Sequence, residues 1–487
     1  MFESLFQKYG SIVRLQLRGS TVLVRDIKDV ETVFRNEGIY PKRPSLQLPV
    51  QFAKRNGFKE GFNDLLLADK SRERPVKTSV NRIPTGSEKS RPKSCGLGGN
   101  TSADFTMISW QGKKWQELRS PISRRLARVN SATYYILDQN PVADDFREVL
   151  ENADDMTPEA LSETFFKFAA ESIGVVCFNT RLGFLNPNFS NNPDAVEYLK
   201  ASKAVFEILH EEISGRSIMH GLYRNKTYRD FEATQLTLRH HSGREIMKAI
   251  NVLKEKQQNG TFDPEEPNLL FSLLSDPNID FETIRTLMNT LYVAGTDSTA
   301  KSLQIFFFNL AMNPEKQEIL YREINEVLGP DQPLTAEALA RMPYLKAAVK
   351  ESFRTMFPNM GVSRFMPRDI VLSGYQIPAG THILICSHSV SKAYFENPEQ
   401  YYPERWLRSE ERRRSDSYIH PMSVLPFGYG PRNCIGRRFA EQEIFLGSVK
   451  VLQKLKIGVK PESEKTKFIY TVFFGPEKPI AFTFSKR

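Results

Sequence analysis

Apolar and polar positions alternate over Ser11–Leu17 and again over Thr21–Arg25, with Arg18, Gly19 and Ser20 between them, and this period of two predicts a β-hairpin. Helical spacing follows over Ile27–Asn36, so a small β-lobe opens the chain. Through the middle, apolar residues recur every three to four positions over Trp115–Leu126, Pro158–Val176, Ala195–Ile213, Tyr228–Lys256, Asp280–Ala311, Pro314–Leu328 and Pro343–Met356, which predicts a helical body. Beyond Pro358 the texture changes. β-Branched runs at Ile370–Leu372 and His382–Cys386, separated by turn residues from Gly374 to Gly380, predict that a sheet returns. Phe439–Leu455 is again helical in spacing, and Lys467–Phe474 with Ala481–Phe484 reads as a closing hairpin. The expected fold is mainly α with a minor β-lobe. No repeat and no Pro/Gly linker divides the chain, so residues 1–487 are expected to form one domain.

One stretch breaks the pattern. From Lys70 to about Asp104 aromatics vanish and Ser, Pro, Gly, Lys and Arg dominate, the composition of a disordered insertion at 70–104. Lys70, Arg72, Arg74, Lys77, Arg82, Lys89, Arg91 and Lys93 oppose only Glu73 and Glu88 there, so the segment supplies +6 of a net charge of +10. No nucleic-acid-binding motif accompanies it, and nucleic acid is not an expected partner. No run of 18 or more apolar residues occurs, so no segment is expected to span a bilayer. The N-terminus has no apolar signal core, so the chain is either cytosolic or lacks its addressing segment. Cys95, Cys177, Cys386 and Cys434 lie far apart without a C-x-x-C pair, which argues against a disulfide scaffold or a Cys-rich zinc site. The 34 Phe and 17 Tyr can fill a large core.

Chemistry concentrates between Pro426 and Glu441. A glycine-rich loop sets Cys434 immediately before a helix, where the positive end of the dipole and free N–H groups favour a thiolate. Such a thiolate is a metal ligand or a nucleophile. A nucleophile needs a base, and His420 is the only histidine nearby. Gly428, Gly430 and Gly436 remove side chains where a flat cofactor could lie against the backbone, and Arg432 offers a cation for its carboxylates.

The pattern from Phe427 through Gly428, Gly430, Arg432 and Cys434 to Gly436 resembles the haem-binding signature of the cytochrome P450 family at every defined position. Four further segments resemble the family's motifs, in the family's order: Trp115 with Arg119 (W-x-x-x-R), Ala294–Thr299 (A-G-x-D-T-T), Glu351 with Arg354 (E-x-x-R) and Pro403–Trp406 (P-E-R-F/W). The similarity runs from about Tyr9 to the C-terminus apart from the insertion. It implies the P450 fold, with haem b between the long helix carrying Asp297, Ser298 and Thr299 and the helix that follows Cys434. Cys434 is then the thiolate ligand. Trp115, Arg119, Arg364 and Arg432 face the haem propionates, and Ala294, Phe427, Gly428 and Gly436 lie against the ring.

Glu351 and Arg354, three apart on one helical face, form by resemblance a structural triad with Arg405; read alone, such a spacing is usually a solvated pair. Asp297, Ser298 and Thr299 bring a carboxylate and two hydroxyls to the groove where proton delivery to dioxygen is required. Ser298 stands where the family usually has Thr, keeping the hydroxyl but losing the methyl that restrains χ1. Met360, Val362, Val472 and Phe473 match substrate-lining positions, and their apolar character suits a sterol or steroid, a fatty acid or a xenobiotic.

A thiolate-ligated haem implies monooxygenation of a lipophilic small molecule with O2. The chain has no dinucleotide motif, flavin motif or Fe–S cysteine cluster, so electrons from NADPH must arrive through a partner. Lys346 and Lys350, with Arg437 and Arg438, resemble the mitochondrial class, which docks an acidic ferredoxin served by its own reductase. That class implies the matrix side of the mitochondrial inner membrane, with peripheral membrane contact. Two rival readings stand beside this one: a microsomal enzyme of the endoplasmic reticulum fed by a diflavin reductase, and a haem-binding protein without turnover.

Overall fold

Helix boundaries follow capping chemistry. In a computed structural model that describes residues 2–16, 20–44, 46–55, 111–126, 128, 130–153, 156–215, 223–263, 265–407 and 419–487, Thr157, Asn192, Asn225 and Asp280 each accept a backbone N–H in the first turn of a long helix. The expected insertion at 70–104 lies outside the described residues. The helices that position the site are α1 (Gly112–Leu126), α2 (Ile136–Glu151), α3 (Pro158–Phe178), α4 (Pro193–Ile213), α5 (Lys226–Gln258), α6 (Phe281–Met312), α7 (Pro343–Thr355) and α8 (Arg437–Lys454).

α6 is the centre. Phe306, Phe307 and Phe308 are buried in succession, so its C-terminal half is covered on every side, and it packs most extensively on α3 and also on α4, α5, α7 and α8. Phe165 of α3 meets Phe307 edge-on at 5.4 Å, and Phe168 stacks on Phe146 of α2 at 4.5 Å. α2 was hidden from the pattern because its buried face is partly polar and Pro141 stands within the helix. Buried Asn140 donates to the Leu334 carbonyl at 2.9 Å, and Gln139 to the Ser172 hydroxyl at 3.0 Å.

The N-terminal hairpin forms as β1 (Ile12–Gln16) and β2 (Ser20–Val24), and it does not stand alone. β3 (Val362–Phe365) pairs antiparallel with β6 (His382–Ile385), which runs parallel to β2, giving one four-stranded sheet in the order β1-β2-β6-β3. β4 (Ile370–Leu372) and β5 (Tyr375–Ile377) form a separate hairpin, so the two runs expected to share a sheet lie in different ones.

The expected closing hairpin is also corrected. β7 (Leu455–Val459) takes β10 (Phe482–Lys486) as its antiparallel partner, while β8 (Phe468–Tyr470) pairs with β9 (Phe474–Pro476). The physical reason is aromatic burial. Phe482 lies 5.6 Å from Phe165, and Phe484 lies 6.5 Å from Phe307, so the last strand is drawn against the core beside β7.

Candidate active site

The loop before α8 is shaped by glycine and closed by its own backbone. Gly428 and Gly430 adopt φ of +71° and +73°, and the Cys434 amide donates to the Phe427 carbonyl at 2.7 Å. A Cβ on Gly430 would stand 2.2 Å from Glu37 Oε1, whereas one on Gly428 would meet nothing nearer than 3.8 Å. This turn presents Cys434 to a cavity of about 470 Å³ whose walls include Phe427, Gly428, Gly436 and the α6 residues Ala294, Ser298 and Thr299.

The expected thiolate does not follow from the peptide alone. Cys434 is exposed towards the cavity, yet the protein packed around it desolvates the thiol and raises it, opposed by the Gly436 N–H and the Arg119 guanidinium. A cation bonded to sulfur would favour the thiolate here. The end of the cavity supplies the complementary signal for an anionic cofactor. Arg43, Arg119, Arg364 and Arg432 all line it, with Glu37 as the buried carboxylate against them. Arg432 is lowered to about 9, first by burial and then by Arg43, Arg364 and Arg119; Arg43 is lowered to about 10 by burial, Arg364 and Arg119. Such crowding of guanidinium groups fits a ligand carrying more than one carboxylate. With Cys434 presented on one wall, this donor set suits a haem.

Three of these arginines are also fixed by protein. Arg364 donates to Glu37 and, at 3.1 Å, to the Tyr429 carbonyl; Arg119 donates to Asn433, reaching its Oδ1 at 2.9 Å. Arg432 donates to the Pro41 carbonyl at 2.9 Å and lies 4.0 Å over the Trp115 ring. Trp115 is buried beneath that guanidinium and is not among the residues that line the cavity, whereas Arg119 is.

On the opposite wall, Ser298 Oγ donates to the Ala294 carbonyl at 2.7 Å. Gly295 lacks a side chain because Ile173 of α3 fills the place, a Cβ there standing 2.8 Å from its Cγ1. Asp297 points away. It belongs to a second cavity of about 490 Å³ across α6, where Lys301 Nζ donates to its Oδ2 at 2.9 Å. Burial raises Asp297 above its usual range, opposed by Lys301.

Two carboxyls and one guanidinium escaped the sequence reading. Glu443 lines the first cavity fully buried, neither oxygen has a hydrogen-bond partner among the described residues, and burial raises it far above the carboxylate range. The Thr299 hydroxyl tempers that shift without being placed for a hydrogen bond. A Glu four residues beyond buried Phe439 interrupts the apolar stripe of α8, and that was the legible signal. Glu37 and Arg43 sit in a segment without periodicity and gave none.

Val362 and Phe473 line the first cavity, while Val472 does not and Met360 is 38 % exposed, turned outward just before β3 begins. The triad residues come together behind the loop. Glu351 is wholly buried and accepts Arg354 Nε at 2.9 Å, Arg405 Nε at 2.8 Å and Trp406 Nε1 at 2.8 Å. Arg354 continues to the carbonyls of Pro398 and Gln400, both at 2.7 Å.

Lys346 and Lys350 are exposed on α7, as are Arg437 and Arg438 at the start of α8. Lys350 Nζ rests 3.9 Å over the Trp406 ring; Arg437 pairs with Glu441 at 2.9 Å, and Arg438 donates to the Arg128 carbonyl at 2.6 Å. Although its side chain is exposed, Lys350 is lowered by local desolvation and then by Arg437, which places these two cations within one field.

Comparison with known proteins agrees with this arrangement. The family model described as cytochrome P450 matches residues 88–484. A probable mitochondrial cytochrome P450 12a5 of Drosophila melanogaster is 27 % identical, the alignment covering 100 % of this chain and 85 % of that protein. Cytochrome P450 27C1 of Aquarana catesbeiana is 29 % identical over 74 % of this chain and 67 % of its own, and a probable mitochondrial cytochrome P450 12e1 of Drosophila melanogaster is 29 % identical over 100 % and 87 %.

Proposed function

Since the chain belongs to the cytochrome P450 family, a family of haem-thiolate monooxygenases, we propose that it hydroxylates a lipophilic small molecule using O2 and electrons passed from NADPH through an acidic ferredoxin. The observation that carries this reading is the placement of Cys434 on one wall of the cavity, with Ala294, Ser298 and Thr299 on the other and the guanidinium groups gathered at one end. Bound there, haem supplies dioxygen activation, with the thiolate's electron density favouring O–O cleavage.

The chain's own residues do the rest. Cys434 holds the iron. Arg43, Arg119, Arg364 and Arg432 hold the carboxylates, while Phe427, Gly428 and Gly436 leave room for the ring. Ser298 spends its proton on the Ala294 carbonyl, so its oxygen is left with lone pairs facing the cavity, a site that orients water. Glu443, kept neutral by burial, can hold a proton at its carboxyl beside the Thr299 hydroxyl. Asp297 exchanges protons with the second cavity, in contact with Lys301. Ile173, Val176, Leu291, Val362 and Phe473 give the remaining cavity an apolar wall, which excludes water and suits a sterol, a fatty acid or a xenobiotic.

The ferredoxin assignment rests on Lys346, Lys350 and Arg437 and on relatives named as mitochondrial. With it goes the matrix side of the mitochondrial inner membrane. Among the described residues no helix is long and apolar enough to cross a membrane. The test compares turnover of one lipophilic panel driven by a ferredoxin with its reductase against turnover driven by a diflavin reductase. Product with the ferredoxin alone is expected. Product with the diflavin reductase alone points to the microsomal rival, and product with neither to a haem protein without turnover.

A further inference from the structure

Lys301 belongs to no recognised motif, yet it joins two parts of the site. Its Nζ donates to Asp297 Oδ2 at 2.9 Å, one helical turn back on α6, and to Thr471 Oγ1 at 3.2 Å in the turn between β8 and β9. Its methylene stem lies on β9, where a Cβ on Gly475 would come within 3.2 Å of Lys301 Cδ. Neither side chain of the ion pair is free in water, Lys301 being 24 % and Asp297 12 % exposed.

That turn carries a residue into the other cavity. Thr471 uses its N–H and its hydroxyl on the Phe473 carbonyl, at 3.1 and 3.0 Å, and Phe473 lines the cavity of Cys434. The Phe473 ring is also tilted against Phe206 of α4 at 5.6 Å, and the next residue, Phe474, donates its N–H to the Pro358 carbonyl at 3.0 Å. Residues 471–473 are not in regular structure. The flanking strands also pack on α6, Phe468 lying 5.1 Å from Phe308, and within residues 471–473 the polar tie to α6 runs from Lys301 to Thr471.

We propose that Lys301 is a positioning residue: from the second cavity it ties the 471–473 turn to α6 and so fixes where Phe473 stands over the substrate. The anchor for the tie is Asp297, because a lysine head shared between a carboxylate and a hydroxyl is held in one geometry, whereas a lone Lys–Thr contact would be free to rotate away. Through this link the shape of the apolar cavity depends on an ion pair that never touches its contents. The inference rests on the haem-monooxygenase reading and names a specificity determinant within it.

The experiment titrates the ferric holoprotein with imidazole and with 1-phenylimidazole, reading occupancy from the haem absorption. Lys301→Met and Thr471→Val are each expected to raise the dissociation constant of the aryl ligand by about threefold or more, the scale of coupling between contacting residues, while leaving that of imidazole unchanged. Lys301→Arg, which can still bridge, is expected to behave as the parent. In a Phe473→Ala background, Lys301→Met is expected to change neither constant. Thr471→Val keeps the Asp297–Lys301 pair but also removes the hydroxyl's bond to the Phe473 carbonyl, so the contrast of Lys301→Met with Lys301→Arg, which leaves Thr471 intact, isolates the tie. Equal changes for both probes, or a Lys301→Met effect that persists without Phe473, would overturn the inference. The carbonyl spectrum of the reduced parent separates the two levels. Without a haem-thiolate band the functional reading falls and takes this one with it; with the band present and the titrations indifferent to Lys301, this inference falls alone.

Discussion

Gly430 and Glu37, 393 positions apart, occupy each other's space: the place where a Gly430 side chain would begin is 2.2 Å from the Glu37 carboxylate, which is itself pinned by Arg364. The N-terminal segment therefore packs a carboxylate against the cysteine loop. Gly430→Ala is expected to suffer twice, from a left-handed backbone and from displacement of Glu37, at about 1–3 kcal/mol for each. Gly428→Ala meets only the backbone strain. Denaturant midpoints of the two holoproteins check this, with Gly430→Ala the less stable.

Cys434→Ser is expected to abolish the red-shifted Soret band of the reduced carbonyl complex, because an alcohol is a much poorer iron donor than a thiolate. Cys177→Ser and Cys386→Ser are expected to leave the band in place. Cys177 also lines the cavity, so a band that followed Cys177 would reassign the ligand.

Glu351→Ala is expected to cost about 3–5 kcal/mol and most of the soluble protein, because it strands Arg354 and Arg405, both buried, without their carboxylate. Glu351→Gln should recover only part of the loss, since an amide offers one acceptor oxygen where the carboxylate uses two. Expression level and thermal midpoint report both variants.

Glu443 gives a pH dependence whose sign is fixed by burial. Its carboxyl is raised in the folded chain and ordinary in the unfolded one, so above the ordinary carboxylate range the unfolded state loses a proton that the folded state keeps. Its contribution to stability therefore falls as pH rises through that window, by up to about 1.4 kcal/mol per pH unit until the folded carboxyl also ionises. Glu443→Gln removes this slope. The variant is expected to match the parent near pH 4 and to exceed it in thermal midpoint at pH 8; parallel midpoints at both pH values would contradict a raised Glu443.

Lys346→Glu is expected to raise the ferredoxin concentration for half-maximal turnover, and salt is expected to do the same to the parent, because surface charges are screened over about 8 Å at physiological ionic strength. Arg437→Glu should act more weakly on the encounter, as Arg437 already faces Glu441. Both effects belong to the encounter, so the carbonyl spectrum is the control and should not move.

What the sequence determined by itself was local. Helix spacing located α6, α7 and α8 to within about two residues, because apolar residues recur at helical spacing along their buried faces, and the spacing around Cys434 carried the resemblance to the family. Three things only the tertiary structure decided. The tail strands chose partners by where Phe482 and Phe484 could be buried, a choice made by α3 and α6 rather than by the neighbouring segment. The direction of the Cys434 shift follows from the desolvation that the surrounding protein imposes, a quantity the loop sequence does not carry. And Asp297, Ser298 and Thr299, consecutive in the chain, were divided between two cavities, because successive residues of a helix point about 100° apart and a wall one helix thick shows a different face to each side.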